Sequence, residues 1–68
     1  MNRISIEIIG PAASGKTRAA LAIRDALAAD GWHVIHDVGE AIAPDAVNAR
    51  AAGHDRVAVI NEHLKVLR

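Results

Sequence analysis

Residues Gly10 to Thr17 read GPAASGKT, two glycines separated by four residues and followed directly by a lysine and a threonine. A run of β-branched residues precedes the segment, and an Ala/Leu/Ile/Arg-rich stretch follows it. Strand before and helix after is the arrangement that aims successive backbone N–H groups and a helix N-terminus at one anion. The chemistry implied is a grip on a polyphosphate.

Three strands and two helices would have to position that loop. Arg3 to Ile9 alternates, with Ile4, Ile6 and Ile8 on one face and Ser5 and Glu7 on the other, the period of a half-covered strand. From Gly15 to Ala29 the residues Ala19, Ala20, Ile23, Ala26 and Leu27 recur at helical spacing, with Arg18, Arg24 and Asp25 turned outward and Gly31 as a left-handed cap. A second strand is expected over Trp32 to His36 and a loop over Asp37 to Glu40. A weaker helix follows over Pro44 to Ala52, with proline in its first turn and Gly53 past its end. Val57 to Ile60 reads as a short buried third strand, and Asn61 to Arg68 as a loop plus one or two helical turns carrying Leu64, Val66 and Leu67. The fold class is therefore α/β, a minimal three-stranded parallel sheet in β-α-β-α-β order. Connections of this length favour parallel pairing through crossovers.

The chain has 68 residues, one domain over 1–68, near the lower size limit for a single core. It contains no cysteine, which excludes disulfides and thiolate metal sites, and its four histidines have no metal-ligand spacing. Its 8 basic and 8 acidic residues are scattered, leaving no electrostatic footprint for nucleic acid or an anionic membrane. Trp32 is the sole aromatic residue, too few for a stacking platform. No apolar run reaches the length of a membrane span and no signal-peptide pattern opens the chain, so a cytoplasmic location is expected.

On the residues Gly10 to Thr17, the chain resembles the P-loop NTPase and nucleotide-kinase-like family, covering about the first three-fifths of that family's fold. The resemblance implies that Gly10 allows the turn out of the strand and that Gly15 admits the phosphates close to the backbone. It implies that amides from about Ala13 through Ser14 to Thr17 cradle the phosphate oxygens, that Lys16 reaches the β and γ phosphates, and that Thr17 ligates Mg2+. Arg18 is close enough in sequence to sit beside the phosphates. A second motif of that family, an apolar strand ending in an acid, is similar to Val57-Ala58-Val59-Ile60 followed by Asn61 and Glu62, with asparagine where an aspartate is usual. Glu62 is thereby the candidate catalytic acid and metal partner beside Lys16 and Thr17. The other reading is that Asn61 and Glu62 simply end a strand in solvent.

Asp37 and His36 lie where an acceptor substrate could be contacted, with a solvated loop as the plainer alternative. Lys65 and Arg68 could reach a neighbouring subunit's nucleotide, whereas His54 and His63 carry no assigned role. The expected ligand is a nucleoside triphosphate, ATP before GTP because no Asn-Lys-x-Asp element is present, with Mg2+. The expected activity is slow hydrolysis or kinase-like transfer; the competing class is a non-catalytic nucleotide-binding regulatory module, similar to small bacterial or phage accessory proteins. A front portion of a larger kinase is a third reading. The missing strands leave a sheet edge, and a homodimer through that edge is expected.

Overall fold

A computed structural model describes residues 2–65. The element order is β1 (Asn2–Gly10), α1 (Lys16–Ala29), β2 (His33–His36), α2 (Pro44–Ala51) and β3 (Arg56–Leu64). The strands form one sheet in the order β1-β3-β2, with both pairings parallel. The expected α/β class and three-stranded parallel sheet are thus present.

The chain crosses from β1 past the central position to β2, then steps back to β3. These two crossovers run in opposite directions, so helices of one hand fall on opposite faces of the sheet. On the α1 face lie Ile4, Ile6 and Ile8 of β1, Val34 and His36 of β2, and Ala58, Ile60 and Glu62 of β3, an assignment that follows from the register and the period of two. On the α2 face, Ile35, Val47, Ala51, Val57 and Val59 form the core cluster, with Ile42 packed against it. β3, the central strand, is covered on both sides. Val57, Ala58, Val59 and Ile60 are all buried, as a continuous apolar run in a central parallel strand requires.

The helix α1 ends as its sequence suggests. Gly31 has φ +87°, its N–H donates to the Ala28 carbonyl at 3.1 Å, and the Trp32 N–H donates to the Leu27 carbonyl at 3.1 Å. These bonds close the last turn in a Schellman arrangement. Arg56 then stacks over Trp32 at 4.5 Å and donates to the Asp30 carbonyl, tying the start of β3 to this corner.

One expectation is overturned. Asn61 to Leu64 are not a loop leading into a helical turn; they continue β3, paired with Glu7 to Gly10 of β1. The polar residues stay in the strand because partners satisfy them. Asn61 accepts from the Ile42 N–H at 2.9 Å and donates to Glu7 at 3.0 Å, and the Glu62 N–H donates to the Glu40 carbonyl at 3.2 Å. The remainder of that expectation, Val66, Leu67 and Arg68, lies outside the described residues.

Helix α2 covers β2 and β3 but stops short of β1. A groove of about 210 Å3 is left between them, lined by Arg3, Ser5, Val47, Asn48, Val59 and Asn61 among others. Arg3 reaches across it to Asn48 at 2.9 Å. This groove lies on the face opposite the Gly10–Thr17 segment's carboxylate partner.

Candidate functional site around Gly10–Thr17 and Glu62

The segment between Gly10 and Lys16 joins β1 to α1 at the carboxyl ends of the parallel strands, the edge where open α/β sheets hold ligands. Its backbone alternates in hand: Ala13 has φ +57° and Gly15 has φ +88°, while Ser14 between them does not have positive φ. Alternation of this kind turns neighbouring N–H groups toward a common point. Gly15 is also the N-cap of α1, with ψ 16° and no side-chain cap, and no acidic residue lies in the first turn. The 14-residue helix therefore begins with no side-chain cap and carries no acidic residue of its own in its first turn.

Gly10 is required by packing rather than by handedness. A Cβ there would stand 2.8 Å from the Ser14 hydroxyl oxygen and 3.5 Å from Lys16 Cγ. The loop therefore folds back over the end of β1. Lys16 completes the turn by donating from Nζ to the Pro11 carbonyl at 2.8 Å, which keeps its ammonium group within the loop.

Thr17 faces the centre of the sheet. Its hydroxyl donates to Glu62 Oε1 at 2.6 Å. Glu62 Oε2 accepts from His36 Nε2 at 2.6 Å and from the Gly39 N–H at 2.9 Å. An ionised carboxylate only accepts, so Nε2 is the protonated nitrogen of His36. The Glu62 side chain is fully buried and that of His36 is 2% exposed. Donation from the Thr17 hydroxyl, then from the Gly39 amide, then from His36, outweighs burial and lowers the Glu62 carboxyl to a pKa of about 2. The Gly39 amide is presented by a turn in which the Glu40 N–H donates to the Asp37 carbonyl at 3.1 Å, with Gly39 at φ +79°.

No family model matches the chain, nor does any curated protein or solved structure. The site must accordingly be read from its own geometry. Lys16, Thr17 and Glu62 are brought together at one end of the sheet, and Gly10, Ala13, Ser14 and Gly15 form the connecting loop. Asn61 is not part of this group: adjacent strand residues point to opposite faces, and its side chain lies on the α2 side between Ile42 and Glu7. The acid that faces the loop is Glu62 itself. Arg18 is exposed on the first turn of α1.

The remaining sequence candidates have structural partners. Both carboxylate oxygens of Asp37 accept from Arg50 Nη1 at 2.9 and 3.0 Å, which ties the loop after β2 to α2. Arg24 pairs with Asp25 at 3.0 Å. His54 stacks on His33 with ring centroids 3.6 Å apart, and His63 reaches Glu7 Oε1 at 2.9 Å. Lys65 donates its backbone N–H to the Gly10 carbonyl at 2.8 Å, and Arg68 lies outside the described residues. His36 and Gly39 were missed as partners of Glu62. Their signal was weak but present: a histidine at the carboxyl end of β2, followed by a turn glycine, opposite an acid on the neighbouring strand.

Proposed function

We propose that this chain binds a nucleoside triphosphate, ATP in the first place, through Gly10–Thr17, with Mg2+ as the accompanying ion. The observation that carries the reading is the placement of the G-x-x-x-x-G-K-T segment before an uncapped helix, with its threonine hydroxyl 2.6 Å from a buried carboxylate on the adjoining parallel strand. Backbone amides from Ala13 to Thr17 would hold phosphate oxygens and Lys16 would offset their charge.

The donor set fits Mg2+, which takes hard oxygen ligands, keeps several waters and needs only one or two protein groups beside the phosphates. Thr17 would supply its hydroxyl oxygen, because donation of its proton to Glu62 leaves the oxygen lone pairs free. Glu62 would accept from a metal-bound water. The ion, when bound, neutralises charge on the β and γ phosphates.

Binding is better supported than turnover. A general base works best with a pKa near the operating pH, and Glu62 at about 2 is a weak one. Asp37, a second acid near this edge, is engaged by Arg50. These two observations favour a nucleotide-binding or regulatory module over a phosphotransferase, with Glu62 as a positioning residue for Thr17.

Isothermal titration of the protein with ATP, GTP and pyrophosphate, with and without Mg2+, tests the reading. ATP binding that strengthens at least tenfold with Mg2+ is expected, and the Mg2+ increment should vanish in Thr17→Val and persist in Thr17→Ser. Absence of binding to all three ligands by the folded protein would overturn it.

A further inference from the structure

The two edges of the sheet differ. β2 has 4 residues and presents a short edge, whereas β1 has 9 and, among the described residues, pairs only with β3. At the two ends of the β1–β3 ladder, the Asn2 N–H donates to the Asp55 carbonyl and the Gly10 carbonyl accepts from the Lys65 N–H. Even-numbered residues of β1 therefore turn their backbone groups toward β3. Arg3, Ser5, Glu7 and Ile9 direct theirs outward along an unprotected edge, a template for pairing with another strand.

The side chains select the strand that fits. A two-fold axis through Ser5, with a second β1 antiparallel to the first, sets Ser5 opposite Ser5, Arg3 opposite Glu7 and Ile4 opposite Ile6. All three odd-numbered pairs are then hydrogen-bonded pairs that use the outward backbone groups. The two isoleucine pairs are non-hydrogen-bonded, where facing side chains approach most closely. Arg3 meets the copy's Glu7, and Glu7 meets the copy's Arg3, as an isologous interface demands. Moving the axis to Ile4 or Ile6 breaks both ion pairs. Neither charged group is exhausted by its own chain. Arg3 donates to Asn48 through Nη1, leaving other donors of its fork, and Glu7 has room for a further donor beside Ser5, Asn61 and His63. Ile4, 38% exposed, would be covered by the copy's Ile6.

We infer that β1 is a homodimerisation strand, joining two copies antiparallel about Ser5 into one continuous six-stranded sheet with reciprocal Arg3–Glu7 pairs. Both α1 helices lie on one face of that sheet and both α2 helices on the other. The two Gly10–Thr17 loops lie at opposite ends, so dimerisation and nucleotide binding are separable. A lysine near the end of one copy's β3 is then carried away from the other copy's loop, which removes Lys65 as a group reaching the neighbouring nucleotide.

Sedimentation equilibrium of the full chain tests the inference. Wild type is expected to be dimeric, Arg3→Glu to raise the dimer dissociation constant at least tenfold by setting like charges opposite each other, and Arg3→Glu combined with Glu7→Arg to recover most of the loss. Because Glu7 also holds Asn61 and His63, a second measurement leaves it intact. In this cysteine-free chain, Ser5→Cys should be joined to its copy by a short bifunctional maleimide much faster than the exposed control Asp45→Cys, since a hydrogen-bonded pair holds its Cβ atoms slightly too far apart for a direct disulfide. A monomeric wild type, or equal cross-linking of Ser5→Cys and the control, would overturn it. Lys16→Ala should leave the dissociation constant unchanged.

Discussion

Replacing Glu62 by alanine is expected to leave the protein largely unfolded at 37 °C. The substitution strands three donors around the end of β3: the Thr17 hydroxyl, His36 Nε2 and the Gly39 amide. A buried donor left without a partner costs about 1–3 kcal/mol, a cost that falls on His36, whose side chain is 2% exposed, and in part on half-buried Thr17, whereas Gly39 is exposed; domains of ordinary size have only about 5–15 kcal/mol in total. A chain of 68 residues has less apolar burial to draw on than most. Glu62→Gln keeps the shape and one accepting oxygen, so it should fold with a lowered Tm. Circular dichroism melts separate the two variants, and a Glu62→Ala protein as stable as wild type would show that the buried network contributes nothing.

The same carboxylate sets a pH window. Glu62 moves from 4.5 to about 2 on folding, as does Glu7 under the influence of Asn61, then His63 and Ser5. Between those values the unfolded chain binds protons that the folded chain does not. The stability contributed by both groups is therefore complete above about pH 4.5 and is lost as the pH falls toward about 2. The fall in Tm across this window should be shallower in Glu62→Gln and in Glu7→Gln than in wild type.

What the sequence disclosed was whatever repeats locally. The alternation of Ile4, Ile6 and Ile8, the helical spacing from Ala19 to Leu27, and Gly31 at a helix end each encode their structure within one or two turns of chain. The loop with its Lys16 and Thr17 was legible for the same reason. The extent of β3 was not, because Asn61, Glu62 and His63 look like a strand entering solvent. They remain in the sheet through bonds to Ile42, Thr17, His36, Gly39 and Glu7, partners between 19 and 56 positions away in the chain. Grouping Asn61 with Glu62 as one acidic motif also overlooked the period of two, which puts them on opposite faces. Along Val57 to His63 the alternation separates Asn61, with Val57 and Val59, from Glu62, with Ala58 and Ile60. That division alone would have assigned Glu62 to the loop side.

Lys16→Ala is expected to abolish ATP and pyrophosphate binding, by a hundredfold or more, while the protein stays folded. The reason for both halves is visible in the contacts of the side chain. Among the described residues Lys16 donates only to the Pro11 carbonyl, a bond at the rim of the loop whose loss costs about 1 kcal/mol. Toward a polyphosphate it is the one cation inside the loop, and a charge-assisted bond there is about twice as strong as a neutral one. Two such bonds to β and γ oxygens, about 1.5–3 kcal/mol each, account for the hundredfold loss. Lys16→Arg distinguishes charge from shape: Arg keeps the cation but its planar fork does not fit a loop held closed over Pro11, so binding should recover only in part. Arg18, exposed on the first turn of α1, is left in place in both variants. Retained ATP affinity in a folded Lys16→Ala protein would mean that the Gly10–Thr17 segment shapes the strand-to-helix turn and does not hold phosphate.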